Sequence, residues 1–414
     1  MIRILSGRKA AAEVEQLAAR GANFARLQGR VQRIVNEVRR DGDRALRRCA
    51  EQWDGLTSRQ PLLVSQAEMK SALRSLAPQL RAALRCAEEN IRRLCEWQKP
   101  RSWTRTHKGI SLGQVVQPLE SVGCYVPGGR YPLLSTVLMT VIPARVAGVK
   151  NISVVSPNPS AEVLGAAAML GVKQFYRIGG AHAIAALAYG TDSIPRVDKI
   201  VGPGNAYVTM AKKLVSFDCA IDFLAGPTEA AVVSDSGNPE FIAADLVAQA
   251  EHDADALSVF ITTSRPLAEA VQLNVQRMAN GNPTAQESLG AHGAIFVAPS
   301  RKQAREWMNR LAPEHITVEE EDLPFVQNAG SIFVGDYSAQ AAGDYASGPN
   351  HVLPTAGQAR FRGGLSMLDF VKIITVQKVS AAGLRRIAPA IQCLAAAEGL
   401  PAHENSVRMR CQHA

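Results

Sequence analysis

The chain has 414 residues, 47% hydrophobic and 20% charged, a balance typical of a soluble globular protein with room for two or three domains. No apolar run approaches the ~18–20 residues of a membrane span, and the start, Met1-Ile2-Arg3-Ile4-Leu5-Ser6-Gly7-Arg8-Lys9, has no stretch of signal-peptide length, so a cytoplasmic protein is expected. The net charge of +9 admits an anionic ligand, but without a zinc finger, an aromatic RNA-binding motif or a basic tail it supports neither a nucleic-acid nor a membrane partner.

Residues 8–98 read as helices. Phe24, Leu27, Val31, Ile34, Val35 and Val38 recur at helical spacing and make one apolar face, with the arginines between Arg26 and Arg48 on a solvated one. Residues 67–95 are rich in Ala, Leu, Arg and Glu, all good helix formers, until Trp97, Pro100 and Trp103 end the pattern. From about 150 the chain alternates. Strands are expected at 151–155, 174–178, 199–201 and 220–224, with helices at 161–170, 181–189 and 205–215. A second block places strands at 230–233, 257–261, 294–297 and 332–334, with helices at 239–251, 266–278 and 302–311. Such alternation predicts parallel sheets with helices on their faces. Residues 343–364, rich in Gly, Pro and Asn, read as a site-forming loop. A last helix is expected over 380–398, interrupted by Pro389 and stopped by Gly399 and Pro401.

The seven cysteines are scattered and form no CxxC pair, which argues against a disulfide framework and a thiolate zinc site. A GxGxxG fingerprint is absent. Gly179-Gly180 and Gly202-Pro203-Gly204 each join a strand to a helix, as either a dinucleotide site or a tight turn, and spacing does not favour the site.

Two Glu-His dipeptides, Glu251-His252 and Glu314-His315, pair the side chains that most often bind metal or move protons near neutral pH. Gln249 and His252, three apart on an expected helix, share a face, so they read as an oxygen and a nitrogen ligand or as a solvated helix end. Glu314-His315 precedes the apolar run at 316–318, where a loop can turn both side chains inward as a paired acid and base, or leave them on the surface. Asp344 and His351 in the Gly-rich loop, and Glu398 and His403 at the end of the last helix, have ordinary turn, loop and tail readings. Together, however, Gln249, His252, Asp344 and His403 form a mixed nitrogen and oxygen set suited to Zn²⁺.

Six motifs carry a resemblance: Val122-Gly-Cys-Tyr-Val-Pro-Gly-Gly129, Pro203-Gly-Asn-Ala-Tyr-Val208, Leu224-Ala-Gly-Pro-Thr-Glu229, Gln249-Ala-Glu-His-Asp253, Ala312-Pro-Glu-His315 and Gly343-Asp-Tyr-Ala-Ser-Gly-Pro-Asn-His-Val-Leu-Pro354. In order and spacing they resemble histidinol dehydrogenase, and Asp41-Gly-Asp43 and Trp53-Asp-Gly55 extend the likeness across nearly the whole chain.

The resemblance implies a zinc-dependent, NAD-linked, four-electron oxidation of L-histidinol to L-histidine through the aldehyde, closing histidine biosynthesis. It implies Gln249, His252, Asp344 and His403 as ligands of Zn²⁺, His315 as base for the hydroxyl proton and Glu314 as activator of the water that hydrates the aldehyde. Substrate contacts would come from Thr228 and Glu398 together with the ligands and His315, and NAD contacts from Tyr125, His182 and Asn205. His351 lies near the site without an assigned role. The resemblance further implies an intertwined homodimer, with Glu398 and His403 supplied from the partner chain. Two positions depart from the usual pattern: His182 stands where Gln is usual, and Thr228 where Ser is common. An alternative is a paralogous zinc- and NAD-dependent alcohol dehydrogenase acting on a small polar alcohol such as a sulfonated propanediol; Glu398 would repel that anion. A non-catalytic binding protein is the third reading, and the intact Glu314-His315 and ligand positions argue against it.

The expected architecture is α/β, with two tandem Rossmann-like units, a helical N-terminal region and a C-terminal helical extension. The expected domains are an N-terminal helical segment at 1–20, a discontinuous α/β domain of 21–120 plus 229–365, a second Rossmann-like domain at 121–228 and the extension at 366–414.

Overall fold

The computed structural model describes residues 2–21, 25–128 and 133–412; Phe24, placed above on an apolar helix face, lies outside them. Two parallel sheets dominate. In the five-stranded one, Ser121–Tyr125 is the middle strand. The chain adds Asn151–Val155 and Gln174–Tyr176 on one side. It then crosses back to add Lys199–Val201 and Ala220–Ile221 on the other. The strand expected over 220–224 thus ends after two residues.

The six-stranded sheet repeats the plan. Glu229–Val233 lies inside it, Leu257–Thr262 and Ala294–Val297 follow on one side, and His315–Val318 and Ser331–Val334 on the other. Its outermost strand is Arg3–Ser6, parallel to Ala294–Val297. The N-terminal segment expected to be helical therefore opens as a strand, and only Gly7–Ala18 is helix. Isolated, Ile2 and Ile4 have too short a pattern to read; the open edge of a distant sheet gives them a partner.

Four buried clusters line the two faces of each sheet. The helices Ala25–Asp41 and Asp43–Trp53 pack on Gly180–Tyr189, while Gln66–Ser75 packs on Ala161–Met169 and Pro78–Trp97 on Leu134–Ala147. Residues 25–97 thus cover the five-stranded sheet, not the 229–365 region with which they were grouped above. The reason is area: the apolar helices of that sheet, such as Gly180–Tyr189 with every residue from Ala181 to Ala188 buried, need a second layer over them.

A third, antiparallel sheet was not expected. It joins Trp103–His107, Ile110–Pro118 and Val371–Val379. The C-terminal extension therefore begins with a nine-residue strand before its helices Ala381–Ala397 and Pro401–Gln412, which pack on each other. Pro389 does not interrupt the first of these; the Ala-rich run around it outlasts one lost backbone bond. Among the described residues, no helix is long and apolar enough to cross a membrane.

Candidate functional site

The central strands of the six-stranded sheet begin side by side, with His315 in register with Ala230. Thr228 and Glu314, each one residue before its strand, are therefore neighbours. Glu314 and His315 are 6% and 3% exposed, so both members of the dipeptide turn inward. The Glu314 Oε2 accepts from the Thr228 hydroxyl at 2.6 Å and from the Glu229 N–H at 2.9 Å. Burial pushes the Glu314 carboxyl up to about 7, against the His315 charge and these two donors.

His315 uses both ring nitrogens. Nδ1 lies 3.3 Å from the Glu229 carbonyl oxygen, which can only accept, so Nδ1 carries a proton. Nε2 lies 3.1 Å from Asp344 Oδ1. Burial works against the imidazolium, but the charges of Glu314 and Asp344 outweigh it and raise His315 above its ordinary value. Asp344 lies in the last turn of the short helix Gln340–Tyr345. Burial alone would raise its carboxyl; the bond from His315 and the neighbouring imidazoles hold it below the usual range. His351 donates from Nδ1 to the Asp344 backbone carbonyl at 2.9 Å and meets the Thr136 hydroxyl through Nε2 at 3.2 Å. Burial pushes His351 down, which favours this neutral, oriented ring.

Gln249, 3% exposed, donates its amide NH₂ to the Thr228 hydroxyl. That direction is forced, because the hydroxyl proton is committed to the Glu314 carboxylate. The Gln249 amide oxygen is thereby left for another partner. His252 does not share its helix, as spacing suggested: the helix is Pro239–Ala250, Glu251 caps it, and His252 stands in the exposed turn beyond. It reaches the same cavity nonetheless. Thr228, Gln249, His252, Glu314, His315, Asp344 and His351 all line one cavity of about 440 Å³, with Asn205 and Pro127 from the other unit on its far wall.

Glu398 and His403 are not there. Glu398 caps the helix Ala381–Ala397, His403 lies on Pro401–Gln412, and both are exposed on the C-terminal hairpin. Accordingly, no cluster of three His, Cys, Asp or Glu able to hold a metal occurs among the described residues. What one chain brings together is an amide oxygen, an imidazole and a carboxylate.

A second cavity, about 460 Å³, shares Pro127 and Asn205 with the first and contains Tyr125 and His182. It lies where the strand order of the five-stranded sheet reverses, beyond the carboxyl ends of Ser121–Tyr125 and Lys199–Val201, the usual ligand crevice of such sheets. Its walls include Trp53 and Tyr207, with Arg30 donating to the Tyr207 hydroxyl at 3.0 Å. Asn205 caps the helix Ala206–Val215 through Oδ1, which frees its NH₂. Gly202 has φ +115, and a Cβ there would stand 2.1 Å from the Tyr125 carbonyl oxygen, so the turn is built on that close approach. The Gly179-Gly180 turn is no phosphate cradle: its N–H groups are taken by Asp54 Oδ2 at 2.9 Å and the Tyr125 hydroxyl at 3.0 Å. Arg30, Asp54, Tyr207 and Glu229 were not singled out from sequence. Asp54, Tyr207 and Glu229 fall inside motifs that carry the resemblance, but nothing in their spacing marks a role for them.

The histidinol dehydrogenase family model matches residues 17–411. A histidinol dehydrogenase of Methanothermobacter thermautotrophicus is 46% identical over 92% of this chain and 93% of its own. One from Aquifex aeolicus is 44% identical over 96% of each. The crystal structure of histidinol dehydrogenase from Elizabethkingia anophelis matches with a TM-score of 0.94 at 35% identity, covering 100% of this chain and 98% of that one.

Proposed function

Since the chain belongs to the histidinol dehydrogenase family, we propose that it oxidises L-histidinol to L-histidine in two hydride transfers to NAD, in a site that holds Zn²⁺. The observation that carries this is the buried Glu314–His315 pair, fixed by backbone and hydroxyl donors, in a cavity that adjoins a nucleotide-sized crevice.

The donor set fits the metal. Gln249 oxygen, His252 nitrogen and the Asp344 carboxylate are the mixed ligands of a borderline divalent ion. His403 would complete the four from a second chain. When bound, Zn²⁺ supplies a positive charge that anchors the substrate's amine and imidazole and favours proton loss nearby. NAD, held along Tyr125, His182 and Asn205, supplies the hydride acceptor.

The residues then divide the proton work. His315 keeps its Nδ1 proton on the Glu229 carbonyl, so the proton it exchanges is carried at Nε2, beside Asp344, which would be free of that contact if it held the metal. His315 takes the hydroxyl proton as the carbinol carbon loses hydride, leaving the aldehyde. Glu314 takes a proton from the water that adds to the aldehyde carbon. The hydrate then loses its carbon-bound hydrogen as the second hydride, and its hydroxyl proton passes to His315, which has by then released the first proton to solvent, giving the carboxylate. Thr228 holds Glu314 in place and touches substrate beside it.

The same reading makes the protein a cytoplasmic, intertwined homodimer, with Glu398 and His403 reaching the other chain's cavity. Two features support it. The three-stranded sheet exposes Trp103, Leu112, Ile373, Ile374 and Val376, and the C-terminal hairpin packs chiefly on itself. The test is an NAD reduction assay with L-histidinol. Two NADH per substrate, lost with a chelator and restored by zinc, is the expected result; no turnover of histidinol alongside ready turnover of another alcohol would overturn it.

A further inference from the structure

Asp54 belongs to no proton step above, yet it is a carboxylate buried in the second cavity, its side chain 5% exposed. It caps the helix Asp43–Trp53 with its backbone. Its Oδ2 accepts from the Gly179 N–H at 2.9 Å and lies 2.7 Å from His182 Nε2. The His182 ring is 2% exposed, and the Trp53 ring stands 5.8 Å from it. A charge this enclosed survives only when its partners are well placed. Here one is the first turn of the helix Gly180–Tyr189, whose N-terminus favours an anion.

We propose that Asp54 is a positioning residue for the cofactor: it holds His182 with the proton on Nε2, so that Nδ1 meets the nucleotide as a hydrogen-bond acceptor. This rests on the reading that the second cavity binds NAD. A carboxylate can only accept, so its 2.7 Å partner Nε2 must donate, and the neutral ring is left with an acceptor at Nδ1. Among the described residues Nδ1 has no hydrogen-bond partner. A nucleotide offers donors that match it, in ribose hydroxyls and in the exocyclic amine of the base. The glycine N–H groups beside it are already occupied, so this acceptor, rather than the helix terminus, is the polar feature the turn presents. Without Asp54 the ring is free to exchange tautomers and to swing, and the acceptor is lost part of the time.

The test measures NADH binding to the full-length protein by calorimetry, beside steady-state kinetics. Asp54→Ala is expected to weaken NADH binding and raise the KM for NAD about tenfold, the scale of one hydrogen bond, with kcat and the KM for L-histidinol nearly unchanged. His182→Ala should do the same, and the double variant no more than either single. Asp54→Asn, which keeps an oxygen acceptor for both donors, should recover most of the binding and controls for misfolding of Asp54→Ala. Unchanged NADH binding in Asp54→Ala, or single effects that multiply in the double variant, would overturn the proposal. Asn205→Ala separates the two ideas. If it weakens NADH binding and Asp54→Ala does not, only the role of Asp54 fails; if neither matters, the cavity is not the cofactor site.

Discussion

Thr228 ties the candidate site together. Its hydroxyl donates to Glu314 and accepts from Gln249, so one side chain orients both the carboxylate and the amide proposed as a ligand. Either Thr or Ser supplies that hydroxyl, which is why the departure at this position leaves the network whole. Glu314→Gln keeps an oxygen for the Thr228 and Glu229 donors but removes the base. We expect it to fold normally and to slow oxidation of the aldehyde by a factor of about 10² or more, while sparing much of the first hydride transfer. Assays started separately from the alcohol and from the aldehyde will show this, and equal loss in both would deny Glu314 the water-activating role. At the other cavity, Gly202→Ala forces a Cβ onto the Tyr125 carbonyl at positive φ. A loss of at least about 2 kcal/mol is expected in denaturant unfolding, with weakened cofactor binding as Tyr125 shifts.

The two parallel sheets share a winding but present opposite ends to the site. The five-stranded sheet uses the carboxyl ends of its strands, through Tyr125, Pro127 and Asn205. The six-stranded sheet uses amino ends, where Thr228, Glu314 and His315 stand. Its carboxyl ends, the usual crevice, are closed by charge: Arg301 meets Asp235 at 3.0 Å, Asp322 at 2.7 Å and Glu319 at 2.5 Å, with Ser234 and Ser236 also donating to Glu319. Burial alone would raise the Glu319 carboxyl; the Ser234, Arg301 and Ser236 bonds outweigh it and hold it down to about 2. A carboxyl depressed in the folded state adds stability that is complete above its unfolded value and lost as pH falls through the folded one. The shift alone would be worth about 3 kcal/mol; discounted for solvent screening of this partly exposed group, Glu319 should contribute on the order of 2 kcal/mol at neutral pH, lost between pH ~4.5 and ~2. Glu319→Gln should melt lower at pH 7 yet converge with the parent only near pH ~2 and below. Melting curves that stay parallel over that range would remove Glu319 from the account.

At the scale of the whole molecule, one chain does not bring all four proposed ligands together. Three candidate ligands line its cavity, and His403 projects on a hairpin beyond an apolar sheet exposed on its own. If two chains exchange these arms, His403→Ala and Glu314→Ala each inactivate alone. A mixture refolded together should regain up to about a quarter of parental activity, because half the dimers are mixed and each has one intact site of two. Sedimentation should show a dimer in each variant. Mixed dimers with no activity would mean that His403 serves its own chain or none.

Much of this was legible along the chain. The α/β alternation from residue 150 follows from local periodicity, and the Glu314-His315 dipeptide and the set Gln249, His252 and Asp344 stood out by residue type and setting. These are properties of neighbours in sequence, where a pattern of two or of 3.6 shows directly. Other features depend on partners far away. Arg3–Ser6 is a strand only because Ala294–Val297 offers an edge. Ile110–Pro118 finds Val371–Val379 across more than 250 residues. The helices of 25–97 pack over the five-stranded sheet, a choice their sequence does not show, because an apolar stripe says that it must be covered, not by what. In sequence Asp54 belongs only to the short motif Trp53-Asp54-Gly55; folding sets it 2.7 Å from His182. Composition and periodicity decide which surfaces must be buried; which surface buries which is decided by the competition among all of them at once, and that is settled only in the folded chain.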